Sequence, residues 1–211
     1  MKNQPNPSPV LTVELNNPMR HVTLLRHGET SQPGLYHGHN DVSLSATGRA
    51  QMRAALPNLP SGTSQVISSP LQRCAEVAQD YASTHALPLV LNPAWMELDF
   101  GTWTGRSAED ILRTEAKSLS DFWRDPIEHA PPGGETLHHA AARVQSAWNA
   151  LPPEGNLLVF THGGVMRLLF CLLLDLPLTQ LWRVDIHYAA RMEWVTDTSG
   201  TRLHQLHPGY A

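Results

Sequence analysis

With 211 residues, 41% of them hydrophobic, the chain is long enough for one globular domain with a sizeable core. A formal net charge of -4 excludes whole-surface attraction to nucleic acid or to an anionic membrane, so a bound anion must be held by a local cluster of positive groups. Two cysteines, Cys74 and Cys171, are too few for a disulfide framework of the secreted kind and sit in apolar helical patterns as buried thiols.

Residues 1–19 carry Pro5, Pro7, Pro9 and Pro18 among polar residues, which predicts a flexible arm, with the alternation Leu11, Val13, Leu15 as a competing edge strand. No run in the arm fits a signal peptide. The most apolar segment, 165–176, contains Arg167 and Asp175 and falls short of the ~20 residues that span a bilayer, so a soluble cytoplasmic protein is expected. A single ordered domain is expected over 20–211. Its first strand is predicted at 21–26, followed by a long loop through Gly34, Tyr36, His37, Gly38 and His39. Ser45 predicts the N-cap of a helix that Pro57 ends. A second strand is expected at 65–69, and Pro70 is placed in the first turn of the next helix, which spaces Leu71, Cys74, Val77, Ala78 and Tyr81 on one side. A third strand follows at 87–91, then two helices within 107–124. Pro131, Pro132, Gly133 and Gly134 break the chain before a helix over 135–150. The near-unbroken apolar run 156–161 predicts a strand covered on both faces, leading through His162, Gly163 and Gly164 into the apolar helix. Strands at 182–195 and 201–206 are expected at an antiparallel edge. Together these elements predict an α/β fold, a three-layer α/β/α domain with a mostly parallel sheet.

The polar residues at the predicted strand ends carry the chemistry. Strands of such a sheet deliver functional groups at their carboxyl ends. Arg26 and His27 follow the first strand, Arg73 opens a helix after the second, and His162 follows the buried strand. Two arginines can share the nonbridging oxygens of a phosphate, and helix N-termini add free N–H groups. A neutral imidazole can attack phosphorus, which makes His27 the candidate nucleophile and Glu97 the candidate general acid. Singly, Arg26-His27 reads equally as a surface pair and Arg73 as a solvated helix residue. Glu97 reads as a turn cap, with Asp99 a competing acid. The histidine pairs His37/His39 and His138/His139 lack zinc-site spacing and read as surface or pocket-rim residues, so no metal and no cofactor is expected. Of the six tryptophans, most read as core, with Trp103 or Trp123 a candidate to stack on a planar leaving group.

Six short segments in this order resemble the histidine phosphatase superfamily, in the branch of cofactor-dependent phosphoglycerate mutases and small-molecule phosphatases. They are Leu24-Leu-Arg26-His27-Gly-Glu-Thr30, Leu44-Ser-Ala-Thr-Gly48, Ser68-Ser-Pro-Leu-Gln-Arg73, Glu97-Leu-Asp-Phe-Gly101, Pro132-Gly-Gly-Glu-Thr136 and Thr161-His162-Gly-Gly. The resemblance implies a phosphoglycerate mutase-like fold, phosphorylation at His27, a phosphate pocket of Arg26, Arg73 and His162, and Glu97 as proton donor. It implies a lid or insert over about 101–135. Within the branch, 34–39, 97–103, Trp123 and 182–185 are similar to the α-ribazole phosphatase subfamily. A broad-specificity phosphatase and a mutase are the alternatives. Many relatives place an asparagine six residues after the catalytic histidine, where this chain has Pro33. Further phosphate or substrate contacts are therefore expected from Thr30, Tyr36, Gly38 or Gly163. The expected partner is a small phosphate monoester, not nucleic acid or membrane, with oligomerisation left open.

Overall fold

A computed structural model describes residues 19–59 and 61–210. The expected arm, apart from Met19, and the alternation at Leu11, Val13 and Leu15 lie outside the described residues. In chain order the elements are β1 (Arg20–Arg26), α1 (Ala46–Ala55), β2 (Gln65–Ser68), α2 (Gln72–Thr84), β3 (Leu89–Leu91), α3 (Ala108–Arg124), α4 (Leu137–Asn149), β4 (Gly155–Thr161), α5 (Gly163–Leu173), β5 (Arg191–Asp197) and β6 (Gly200–His207). They form one six-stranded sheet of order β3-β2-β4-β1-β5-β6. The first four of these strands are parallel, while β5 runs antiparallel to β1 and β6 antiparallel to β5.

Side chains of a strand alternate between faces, and here both faces are apolar. Val22 and Leu24 of β1 and Leu157 and Val159 of β4 join Val144 of α4 and Leu168 of α5 in one core. Leu25, Leu158 and Phe160 point the other way, onto Met52 of α1 and Cys74 and Ala78 of α2. Burying each such side chain contributes roughly 1.5–3 kcal/mol, which is why the uninterrupted run in β4 holds the middle of the sheet. The result is the three-layer α/β/α architecture that the strand-helix alternation predicts. A third, smaller core of Trp103, Ile111, Leu119 and Phe122 lies apart from these two, under α3.

Helix starts follow their caps. Ser45, Ser107 and Thr136 each accept a bond from the backbone N–H three residues on. The expected pair of helices within 107–124 is α3, two helical stretches that meet at a kink at Glu115, whose φ of -140° and ψ of 37° are not helical. Three expectations need correction. Pro70 precedes α2 rather than opening it, because Leu71 is the N-cap. The helix expected over 135–150 begins only after Thr136, leaving Glu135 outside it, paired with Arg143. The strand expected over 182–195 exists only from Arg191. A 3-10 helix over Leu178–Arg183 and a turn with Ala189 at φ 54° take its first half. Off the sheet, that stretch presents the Val184 and Ile186 carbonyls to Arg167 and Arg26 and the rings of Trp182 and Tyr188 to a cavity.

Candidate active site

The four parallel strands end at one edge of the sheet, and each delivers a polar residue there. His27 follows β1, Ser69 follows β2, Glu97 follows β3 after a short 3-10 turn, and His162 follows β4 as the N-cap of α5. Arg73 enters from the first turn of α2. A cavity of about 240 Å³ opens here, lined by Arg26, His27, Arg73 and Glu97 and walled by Tyr36, Gly38, Gly163 and several aromatic rings, with Ser69 and His162 buried outside its lining.

The His27 ring is buried, and its Nδ1 lies 2.7 Å from the carbonyl oxygen of Gly28. A carbonyl can only accept, so Nδ1 carries the proton and Nε2 keeps its lone pair. Burial, then the charges of Arg26 and Arg73, push the His27 pKa well below the usual imidazole range, so the ring is neutral near pH 7. Arg26 donates to the Ile186 carbonyl at 2.6 Å and lies 4.5 Å over the Tyr188 ring, which fixes its plane. Arg73 donates to the carbonyls of Asn40 at 2.8 Å and Gly38 at 2.7 Å. Each terminal nitrogen of a guanidinium carries two N–H groups, so each retains one for an anion.

His162 is brought to the cluster, edge-on to His27 at 5.2 Å between ring centroids. Its nitrogens are engaged differently from the expectation of a free ring donor. Arg73 Nε donates to Nδ1 at 3.3 Å, and Nε2 lies 2.8 Å from Ser69 Oγ. In this structure the ring braces Arg73 from behind. Burial and the nearby arginines push its pKa well down too.

The Glu97 carboxylate sits at the N-terminus of α5, accepting from the Gly164 N–H at 3.1 and 3.2 Å and from the Leu98 N–H at 3.0 Å. A Cβ on Gly164 would lie 2.3 Å from Glu97 Oε1, so the second glycine after His162 makes room for that carboxylate. Asp99, the competing acid, caps a turn by accepting from the Gly101 N–H at 2.9 Å. Thr30 is wholly buried with its hydroxyl 2.8 Å from His37 Nε2, behind the cavity wall rather than in it. Tyr36, Gly38 and Gly163 do line the cavity.

Sequence reading did not place Arg167, Trp182 or Tyr188 in the site, and all three line it, as does His37, which was read as a surface or pocket-rim residue. Arg167 carried a signal: it lies one helical turn after Gly163, so a lone arginine in an apolar helix shares the face that meets the ligand. Trp182 was marked only by the subfamily likeness of 182–185, and Tyr188 carried no signal, because the loop that presents them reads as strand. Trp103, expected as a stacking candidate, is fully buried and donates to Glu115 at 2.9 Å. Among the described residues, no group of three metal-ligating side chains could hold an ion, and no helix is long and apolar enough to cross a membrane.

Comparison with known proteins identifies the family. The model of the histidine phosphatase superfamily (branch 1) matches residues 22–207. The chain is 34% identical over 172 residues to the adenosylcobalamin/α-ribazole phosphatase of Escherichia coli K12, covering 77% of this chain and 84% of that protein. It is 27% identical over 172 residues to phosphoserine phosphatase 1 of Hydrogenobacter thermophilus, covering 76% and 79%. The crystal structure of the α-ribazole phosphatase from Shigella flexneri superposes with a TM-score of 0.77 at 26% identity, covering 90% of this chain and 98% of that one. The chain belongs to branch 1 of the histidine phosphatase superfamily and is a hydrolase of small phosphate monoesters.

Proposed function

We propose that this phosphatase works through a phosphohistidine at His27 and that its substrate is α-ribazole 5′-phosphate. The observation that carries the first part is the His27 ring: neutral, with Nδ1 tied to Gly28 and the Nε2 lone pair left free, between two arginines. Arg26 and Arg73 hold the phosphoryl oxygens. Nε2 attacks phosphorus as the P–O bond to the leaving group breaks, and Glu97 delivers its proton to the departing alkoxide. Water then attacks the phosphohistidine and Glu97 takes its proton, so that inorganic phosphate leaves and the neutral ring returns. His162 serves this cycle through Arg73, and Gly163 lets Arg26 approach, since a Cβ there would lie 3.3 Å from Arg26 Nε.

The substrate rests on likeness to the α-ribazole phosphatases of E. coli and Shigella and on the segments 34–39 and 182–185 around the cavity. A phosphoserine phosphatase at 27% identity keeps a broader specificity as the second reading. A mutase needs a second anion site, and one observation speaks against it. The cations of the 101–135 segment are spent on carboxylates: Arg106 on Glu115, Arg113 on Glu109 and Asp110, Lys117 and Arg124 on Asp121.

The test is a phosphate-release screen of α-ribazole 5′-phosphate, phosphoserine, sugar phosphates and nucleotides. The expected result is the highest kcat/KM for α-ribazole 5′-phosphate and a loss on the order of 10⁴-fold or more in His27→Ala. A His27→Ala variant that turns over at the parent rate overturns the covalent route. A better substrate elsewhere in the screen overturns the assignment of α-ribazole.

A further inference from the structure

The cavity holds more than a phosphoryl group needs. At ~30 Å³ per water, its 240 Å³ equals about eight waters. The polar groups that could bind phosphate, Arg26, His27 and Arg73, lie on the sheet side, whereas much of the remaining wall is aromatic, with Tyr36, Phe100, Trp123, Trp182 and Tyr188 beside Arg167, Leu35 and Leu98. Two indoles, Trp123 of α3 and Trp182 of the loop before β5, line it while staying 39% and 40% exposed, the only tryptophans so exposed among the described residues. Large apolar rings left half in water at the mouth of a charged cleft are unexplained by folding, which buries Trp95, Trp103, Trp148 and Trp194.

Both indoles are held in place. Trp123 Nε1 donates to the Tyr36 hydroxyl at 3.2 Å, and Tyr36 in turn packs edge-on against Phe100 at 4.8 Å. Trp182 packs edge-on against Phe122 at 5.7 Å and carries the Arg167 guanidinium 5.8 Å from its ring centroid. Arg167 is oriented by donating to the Val184 carbonyl at 3.2 Å. Fixed rings lose little freedom when a ligand arrives, which favours stacking.

Resting on the phosphatase reading above, we propose that Trp123 and Trp182 form a leaving-group subsite that selects monoesters carrying a flat aromatic or heteroaromatic ring. Arg167 backs the Trp182 ring and joins it to the phosphate arginines. The monoester enters phosphate-first, so that the phosphate sits on Arg26 and Arg73 while the ring system rests against the indoles at the mouth. Specificity therefore lies in the ring, and small aliphatic phosphates use only the phosphate half of the site.

The experiment measures binding without turnover. The Kd values of 1-naphthylmethylphosphonate and methylphosphonate are determined by calorimetry for the parent, Trp182→Ala, Trp123→Ala and Trp182→Phe. The parent is expected to prefer the naphthyl compound by about tenfold or more, Trp182→Ala and Trp123→Ala each to cut that preference about fivefold, and Trp182→Phe to keep most of it. Parent Kd values within twofold of each other, or a preference unmoved by either alanine, overturn the subsite. Because no bond is broken in this measurement, a failure of the phosphate-release screen with the naphthyl preference intact removes the catalytic reading alone. The reverse result removes the aromatic subsite alone.

Discussion

The two walls of the cleft are built on different physics. The phosphate side stands on the ends of β1, β2 and β4, whose flanking residues are fully buried and whose polar groups are tied to main-chain carbonyls. The opposite side, from Gly101 through α3, stands on a four-residue apolar cluster, a kink at Glu115 and a set of ion pairs facing solvent. A sheet end holds groups to the tolerance that chemistry needs. A small satellite core with exposed pairs can change composition while the sheet stays intact. If the proposed site and subsite hold, reaction type and substrate choice are separated in the molecule.

The strongest test of this division is Glu97→Gln. If the sheet side holds the chemistry, the variant loses about 10²–10⁴-fold in kcat with the affinity for phosphate retained, as steady-state kinetics and phosphate inhibition would report. Next is Ile111→Ala in the satellite core. The cavity it leaves costs about 2–5 kcal/mol, and hydrogen exchange should rise across 101–124 with the β1 and β4 amides unchanged. Equal acceleration in the sheet would show that the two walls unfold as one unit.

Acid comes third. His27 and His162 both have folded pKa values depressed well below 6.5, mainly by burial, so the unfolded chain binds more protons below that pH. The stability they confer is complete above pH 6.5 and is lost as pH falls from there toward the folded values, by about 1.4 kcal/mol per pH unit for each ring. Urea melts at pH 7 and 5.5 should show His27→Asn losing less stability than the parent over that interval. The smallest effect is Arg113→Ala, whose pairs with Glu109 and Asp110 are exposed; the melting midpoint should shift by no more than about 0.5 kcal/mol equivalent.

The same division decided what could be read from the chain. Strand ends announce themselves, since an apolar run stops at Arg26-His27, at Ser69 and at His162, and hydrophobic periodicity locates such points well. Glu97 was placed by motif order alone, because its local chemistry resembles that of Asp99 until the α5 amides are seen around it. The aromatic wall was largely illegible. Trp182 and Tyr188 lie in a stretch with strand-like composition that the fold diverts into a loop, and burial of Trp103 against exposure of Trp123 depends on which face of a kinked helix meets a small core. The hydrogen-bond partners of His162 could not be read from the chain, because they are neighbours, here Arg73 and Ser69, that only the fold supplies.

The segment Leu44-Ser-Ala-Thr-Gly48 places no polar group in the cleft, yet it governs what happens there. Its Gly48 presses against the turn after β1 so closely that a Cβ on it would lie 1.9 Å from the Glu29 carbonyl oxygen, and one on Gly28 would lie 2.3 Å from that of Gly48. The Thr30–Leu44 bridge and the Glu29–Ser45 contacts close the same seam. Since the Gly28 carbonyl chooses which imidazole nitrogen keeps its proton, the start of α1 acts as a mould for the tautomer at position 27. On the phosphohistidine mechanism proposed above, a side chain added at either glycine would reach the His27 Nε2 through the backbone alone and is expected to lower turnover while Arg26 and Arg73 remain in the chain.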